Sequence, residues 1–239
     1  MTTQSDSDTR YRGHPSLCEI DRPGQERISA ARVLMIGAGG LGSPVALYLA
    51  AAGVGHITVV DPDTVSLSNL QRQIIHTTPD IGRPKVISAA ESMTAINPLI
   101  CVEPLQQPLT PDNAPALIAA HDITVDCTDN LATRMLINNT CVAQERPYVF
   151  GAVNRWGGQL FTHTPGSAVY TDFFDAIPAS AGADIPCSLA GVLNTVVGVI
   201  GSLQATEVIK YLAGTGDLLT DRLLTFDAIA MTFSTFTIR

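Results

Sequence analysis

The feature that most constrains this chain is a glycine-rich turn between a short apolar strand and a helix. The predicted strand Arg32–Ile36 runs directly into the turn, and a predicted helix over residues 43–52 follows it. The turn has the spacing G-x-G-x-x-G and consists of Gly37, Ala38, Gly39, Gly40, Leu41 and Gly42. Such glycines let the backbone approach phosphate oxygens, and the helix start offers free N–H groups. The unit predicts a nucleotide site.

A carboxylate strengthens this prediction. The second predicted strand, His56–Val60, ends at Asp61, nineteen residues beyond Gly42. About 20 residues after such a turn, an acidic side chain commonly accepts hydrogen bonds from ribose hydroxyls. The alternative, that the glycines serve only close packing of helix on sheet, explains Asp61 less well.

Strands and helices alternate up to residue 151. After the second strand we predict helices over 85–96, 112–120 and 130–144, and strands over 100–103, 123–126 and 148–151. Alternation of this kind predicts an α/β fold with a Rossmann-like, doubly wound, mostly parallel sheet.

The pattern changes after residue 151. We predict a strand over 158–163, a long crossover loop over 165–186 that is rich in Ala, Gly, Pro and Asp, a buried helix over 189–212, and C-terminal antiparallel strands over 223–227 and 232–237. We therefore expect three parts. They are an N-terminal arm over 1–28 that contacts a dimer partner, a nucleotide-binding half over 29–151, and a remainder over 152–239 that completes a single domain.

Charge and cysteine content limit the partners. The chain has 14 basic and 22 acidic residues and a net charge of −8, which argues against nucleic acid or an anionic membrane surface. Its five cysteines form no C-x-x-C pair. Because the first residues are polar and lack the apolar core of a signal peptide, we expect a cytoplasmic protein.

Two cations follow the second strand. Arg72 lies in the polar segment 66–73, and Lys85 begins a helix behind Gly82 and Pro84. Arginine forks and lysine point charges commonly hold triphosphate oxygens. The alternative is that both side chains are merely solvated on the surface.

The segment Asp126-Cys127-Thr128-Asp129-Asn130 ends a buried strand, where ligands bind in doubly wound sheets. Asp129 is well placed to hold Mg²⁺ that bridges phosphates. Asp126 could do so instead, and either acid could cap the helix that begins at Asn130.

At these residues the sequence resembles the ThiF, MoeB and HesA family, bacterial relatives of the ubiquitin-activating enzymes. The matching segments are G-A-G-G-L-G-S at 37–43, D-x-D-x-V-x-L-S-N-L-Q-R-Q at 61–73, G-R-P-K at 82–85, D-C-T-D-N at 126–130, G-Q-L at 158–160, A-G-V at 190–192 and G-V-I-G-S-L-Q-A-T-E-V-I-K at 198–210. The resemblance covers nearly the whole chain.

The resemblance implies a homodimer that uses ATP and Mg²⁺ to adenylate the C-terminal Gly-Gly carboxylate of a small ubiquitin-like sulfur carrier, in a molybdopterin, thiamine or related sulfur-transfer pathway. It implies nucleotide contacts from Gly37, Gly39, Gly40, Gly42, Asp61, Asp63, Asn69, Arg72, Gln73, Lys85, Asp129, Asn130 and Arg12. Candidate catalytic residues are Arg72, Lys85, Asp129 as the magnesium ligand, and Cys187.

Cys187 matches the family's reactive cysteine. It stands just before the predicted helix over 189–212, and a helix N-terminus lowers the pKa of a thiol. The alternative is a small residue at a helix entry, without a chemical role.

Two features depart from the family pattern. Relatives carry two C-x-x-C pairs that bind zinc, whereas this sequence has residues 170–173 (Y-T-D-F) at the first pair and lacks the second, so we expect no zinc. Relatives also begin R-Y-x-R, and here Gly13 replaces the second arginine, which crosses to the partner's ATP. Either Arg12 or Arg10 substitutes, or the site is weakened.

Two further functions are compatible with parts of the sequence. A non-catalytic, carrier-binding relative would explain Gly13 and the missing cysteines. An NAD-dependent oxidoreductase would explain the glycine turn but leaves Arg72, Lys85 and Asp129 without a task. The sequence shows no rhodanese-like segment, so we expect any sulfur donor to be a separate protein.

Overall fold

A computed structural model describes residue 7, residues 9–174 and residues 191–238. Its centre is an eight-stranded sheet in the order β3-β2-β1-β4-β5-β6-β7-β8. The strands are β1 Arg32–Ile36, β2 His56–Val60, β3 Cys101–Leu105, β4 Ile123–Asp126, β5 Tyr148–Asn154, β6 Gly157–His163, β7 Arg222–Asp227 and β8 Thr232–Thr237.

Seven α-helices of the described residues surround the sheet. They are α1 Asp21–Ala30, α2 Gly42–Ala52, α3 Lys85–Ile96, α4 Ala114–Ala119, α5 Leu131–Ala143, α6 Tyr170–Phe174 and α7 Asn194–Ala213. Short 3₁₀ turns lie at Leu67–Asn69 and Thr78–Asp80.

The first five strands are parallel, and β6, β7 and β8 run antiparallel. Strand β1 lies between β2 and β4, so the chain order reverses there. A crevice opens at the carboxyl ends of the strands at such a switch point, and ligands bind in it. The predicted fold class is confirmed.

The residues of β1 alternate between two cores, as the twofold period of a strand requires. Val33 and Met35 join the cluster under α2, α3 and α7, whereas Leu34 and Ile36 join the cluster under α4 and α5. All four side chains are buried. Because both faces are covered, β1 is a nearly continuous apolar run.

Helix α7 is long and apolar enough to cross a membrane by length and composition, but 56% of its most apolar window is buried within the fold. It packs against α2, β5 and β6. The prediction of a buried helix is therefore confirmed, although the helix begins at Asn194, after Gly191 with a φ of +72° and the extended residue Leu193.

Several element ends differ from the prediction by one or two residues, and three features differ more. Helix α1 crosses the expected end of the arm at residue 28, because its Gln25 and Ile28 are buried against the body. The expected division at residue 151 falls inside β5. Residues 170–174 form a helix where a loop was predicted, since Phe173 packs on Phe161 and Tyr170 on Phe150. The remainder of the predicted loop, 175–186, lies outside the described residues.

Candidate nucleotide-binding site

A cavity of about 350 Å³ opens at the carboxyl ends of β1, β2 and β4. The glycine loop, the end of β2, the segment that carries Arg72, the start of α3 and the segment after β4 form its walls. Its polar lining residues include Asp61, Asp63, Arg72, Gln73, Lys85, Thr128, Asp129, Asn130 and Arg134. Val153, Val192 and Val197 add an apolar side.

The glycine loop is as tight as the sequence predicts. Gly37 has a φ of +102°, which strains any other residue, and the Gly37 N–H donates to the Val60 carbonyl at 2.8 Å. A Cβ on Gly42 would lie 2.2 Å from the Gly37 carbonyl oxygen. Gly37, Gly39 and Gly40 line the cavity, and Gly42 closes the turn behind them.

Asp61 fixes this loop to the end of β2. Its Oδ2 accepts the Ala38 N–H at 2.8 Å, and its Oδ1 accepts the Asp63 N–H at 2.8 Å. The side chain is buried, yet it lines the cavity. A carboxylate has about four acceptor sites, so Asp61 retains capacity for ribose hydroxyls after making both bonds.

His76 forms a hydrogen bond with the glycine loop. It was not predicted from the sequence, because a single histidine belongs to no recognisable motif. Its Nε2–H donates to the Ala38 carbonyl at 2.9 Å, and the Ser88 hydroxyl donates to Nδ1 at 2.8 Å. Burial lowers the pKa of His76, which keeps the ring neutral at pH 7. Since Ser88 lies on α3, His76 connects the glycine loop to the helix that begins with Lys85.

Lys85 is held in the cavity by Asp63. Its Nζ donates to Asp63 Oδ2 at 2.7 Å, and the side chain of Lys85 is 8% exposed whereas that of Asp63 is 64% exposed. Both residues line the cavity. The ion pair presents a positioned cation next to the site of predicted phosphate binding.

The segment after β2 places two of the predicted residues on the cavity wall, but not a third. Arg72 and Gln73 line the cavity, and Gln73 Oε1 is buried without a hydrogen-bond partner among the described residues. Asn69 does not line it. Its side-chain oxygen accepts from Ser66, and its carbonyl accepts the N–H groups of Arg72 and Gln73. Asn69 therefore shapes the turn that places its neighbours.

The structure separates the two acids after β4. Asp126 is buried, and its carboxylate accepts both the N–H and the hydroxyl of Thr128. Burial raises the pKa of Asp126. Asp129 is exposed and lines the cavity, while Asn130 caps α5 by accepting the Thr133 N–H at 2.9 Å. The capping role thus belongs to Asn130, and Asp129 is the acid that faces the cavity.

A cation that the sequence analysis missed lies beside this segment. Arg134 lines the cavity from α5 and donates from Nη2 to the Thr128 carbonyl at 2.8 Å. Its position could have been found from the segment 126–130, since it lies one helical turn beyond the Asn130 cap.

Two predicted residues, Cys187 and Arg12, are not among the lining residues described above. Cys187 is outside the described residues. Arg12 does not line the cavity of its own chain, because its neighbour Tyr11 packs at Gly53, where α2 ends. The cavity lies at the opposite end of α2, about 16 Å away for a helix of this length.

Comparison with known proteins identifies the family of this chain. The ThiF family profile matches residues 11–239. The chain belongs to the ThiF family. The matched region contains all the residues that line the cavity.

Several curated relatives of this ThiF-family chain carry informative names. It is 44% identical to the molybdopterin-synthase adenylyltransferase of Escherichia coli, over 94% of this chain and 90% of that protein. It is 40% identical to the sulfur carrier protein adenylyltransferase of Thermus thermophilus, over 96% and 87%. It is 44% identical to the probable adenylyltransferase/sulfurtransferase MoeZ of Mycobacterium tuberculosis, over 96% of this chain but only 60% of MoeZ.

Solved structures agree on the fold. The crystal structure of PaaA matches with a TM-score of 0.82 at 19% identity, over 100% of this chain and 76% of that one. A crystal structure of Escherichia coli MccB matches with a TM-score of 0.79 at 20% identity, over 90% and 67%.

Proposed function

We propose that this protein adenylates the C-terminal Gly-Gly carboxylate of a small ubiquitin-like sulfur-carrier protein, consuming ATP and releasing pyrophosphate. One observation carries the proposal: a glycine loop, an acid at the end of β2, three cations and an exposed acid all line one cavity. Relatives named as adenylyltransferases for molybdopterin synthase and for a sulfur carrier support it.

The proposed reaction requires little covalent help from the protein. A carboxylate oxygen of the carrier attacks the α-phosphorus, the acyl–oxygen–phosphorus bond forms, and the bond to the bridging oxygen of pyrophosphate breaks. Catalysis then depends on positioning and on neutralising charge that moves onto pyrophosphate. Arg72 and Lys85 would bind the phosphate oxygens, and Lys85 is already oriented by Asp63.

The residues present fit a magnesium ion that arrives with ATP. Magnesium is usually bound by one or two carboxylates together with substrate phosphates. Asp129 supplies an exposed carboxylate on the cavity wall, and no group of three metal-ligating side chains exists among the described residues. When bound, the ion would neutralise negative charge on the phosphates, with Asp129 as its protein ligand.

We also propose that the enzyme acts as a homodimer in which the arm of one subunit reaches the partner's cavity. The support is the position of Arg12, at the far end of α2 from its own cavity. In this arrangement Arg12 replaces the arginine that is absent at Gly13.

The decisive experiment is carrier-dependent exchange of labelled pyrophosphate into ATP, with small Gly-Gly-ending proteins encoded near this gene as substrates. Exchange with one carrier, and its loss in a Lys85→Met variant, is the expected result. ATP binding without exchange for any carrier would instead support a non-catalytic carrier-binding protein. Reduction of NAD⁺ by a candidate substrate would support an oxidoreductase.

A further inference from the structure

The feature that remains unexplained is the fixed and incompletely paired guanidinium of Arg134. Its Nη2 donates to the Thr128 carbonyl at 2.8 Å, and its Cζ lies 5.4 Å from the centre of the Phe150 ring. These two contacts hold the group in one place. Its Nε is buried and has no hydrogen-bond partner among the described residues.

The acidic side chains near Arg134 accept no hydrogen bond from its guanidinium. The carboxylate of Asp126 accepts its hydrogen bonds from Thr128, and Arg134 forms no ion pair within 4 Å with any described residue. Arg134 is half-buried and its charge attracts the Asp126 carboxylate, so the cost of an unmade hydrogen bond falls on its buried Nε–H alone. Among the described residues Nη2 alone of this guanidinium has a hydrogen-bond partner, and Nε is buried, so Nη1 is the donor that an anionic ligand in the cavity can reach.

The sheet order places Arg134 apart from the other cations. Arg72 and Lys85 both follow β2, whereas Arg134 follows β4 and packs on Phe150 of β5. Strands β2 and β5 are separated by β1 and β4, a distance of about 14 Å at ordinary strand spacing. Lys85, which pairs with Asp63 just after β2, thus enters the cavity from a different strand than Arg134, whereas Arg72 lies against Gly40 of the glycine loop. Lys85 is suited to the leaving pyrophosphate, and Arg134 is free to bind a second anion.

We propose that Arg134 binds the C-terminal carboxylate of the carrier tail and holds it against the α-phosphate. This inference rests on the proposed adenylation. A planar guanidinium matches a carboxylate with two parallel hydrogen bonds, and its charge offsets the repulsion between carboxylate and phosphate. In the in-line displacement, attacking and leaving oxygens lie on opposite sides of the phosphorus, so cations that follow different strands are suited to serve one oxygen each. Arg134 would then give the enzyme its selectivity for a free carboxylate.

The test compares Arg134→Met and Arg134→Lys with wild type in pyrophosphate exchange, using the carrier that supports exchange in wild type. For Arg134→Met we expect the KM for the carrier to rise about 10- to 100-fold, as for loss of a charged hydrogen bond, with ATP affinity unchanged. Arg134→Lys keeps the charge and loses the fork, so it should recover part of the KM. Arg146→Met is the matched control, because Arg146 does not line the cavity.

A second measurement separates a substrate contact from a structural role. Binding of the carrier with a free or an amidated C-terminus is measured on protein loaded with a non-hydrolysable ATP analogue. Wild type should prefer the free carboxylate, and Arg134→Met should lose that preference. An unchanged carrier KM in Arg134→Met, or a loss of ATP affinity instead, overturns the inference alone. Absence of exchange by wild type with every carrier overturns the proposed function, and this inference with it.

Discussion

Lys85 Nζ lies 2.7 Å from Oδ2 of Asp63, so the buried end of this ion pair is the cation and the exposed end is the acid. This arrangement suits a negatively charged ligand. Lys85 lines the cavity, where phosphate oxygens can approach it, and the side chain of Asp63 is mostly exposed to solvent.

Lys85→Met should lower the rate of pyrophosphate exchange by about 100-fold or more, because it removes a charge placed where negative charge develops. The free energy of unfolding should change by less than about 1 kcal/mol, since the partner Asp63 is mostly exposed and such pairs contribute little to stability. Exchange kinetics and urea unfolding check both statements. Exchange at the wild-type rate would remove Lys85 from the phosphate site.

Asp129→Ala should abolish exchange at millimolar Mg²⁺ while leaving the melting temperature nearly unchanged, because Asp129 is exposed and serves no packing role. Titration of exchange activity with Mg²⁺ measures the effect. Asp112→Ala is the control, as it removes an exposed acid that does not line the cavity. Full activity of Asp129→Ala would assign the metal to another group.

Two glycines of α7 should respond in opposite directions to alanine. A Cβ on Gly198 would meet nothing within 4 Å, so Gly198→Ala should raise the free energy of unfolding by about 0.5–1 kcal/mol. A Cβ on Gly201 would lie 2.4 Å from Pro44 Cγ and 2.8 Å from the Leu41 carbonyl, so Gly201→Ala should lower it by about 1–3 kcal/mol. Denaturant unfolding of both variants checks this, and equal effects would contradict the close packing of α7 on α2.

Stability should fall in mild acid. Burial lowers the pKa values of His76, His121 and His163 below the ordinary 6.5, so the unfolded chain binds more protons as the pH falls below about 6.5. Each histidine then contributes a loss of up to about 1.4 kcal/mol per pH unit until its folded-state pKa is reached. Asp80, whose pKa is lowered to about 2, adds a loss that begins only near pH 4.

Unfolding free energies measured between pH 8 and pH 5 test this order. We expect the free energy of unfolding to be constant above pH 7 and to decline below pH 6.5. In His76→Asn the slope of that decline should be smaller by up to about 1.4 kcal/mol per pH unit, which is the contribution of one proton. A constant stability down to pH 5 would show that these histidines titrate normally in the folded protein.

Mixing two inactive variants should restore activity if the arm acts across a dimer. Lys85→Met and Arg12→Ala homodimers, exchanged into mixed dimers, regenerate one site that has both wild-type residues. About a quarter of the wild-type exchange rate is then expected from a statistical mixture. No recovery, with both parent variants inactive, would place Arg12 and Lys85 in one subunit's function instead. An active Arg12→Ala homodimer would show that Arg12 is dispensable.

Much of the site could be predicted because its elements are local in sequence. Strands β1, β2 and β8 and helix α3 have the predicted bounds, and the glycine loop with Asp61 lies where its spacing indicated. Helix α6 could not be predicted in the same way, because five residues have no helical periodicity. An edge contact of Tyr170 and a tilted contact of Phe174 with Phe150, which is distant in sequence, stabilise that turn.

By itself, the sequence determined the fold class, the family and the set of candidate groups, because these depend on short motifs and on the alternation of strand and helix. Only the tertiary structure decided which of these groups line the cavity and which support the loop around it. It turned Asn69 away from the cavity, separated exposed Asp129 from buried Asp126, and placed His76 under the Ala38 carbonyl. It also brought Arg134 into the same cavity as Lys85. The reason is physical: burial and hydrogen-bond partners determine the charge and direction of a side chain, and both come from residues far away in the chain.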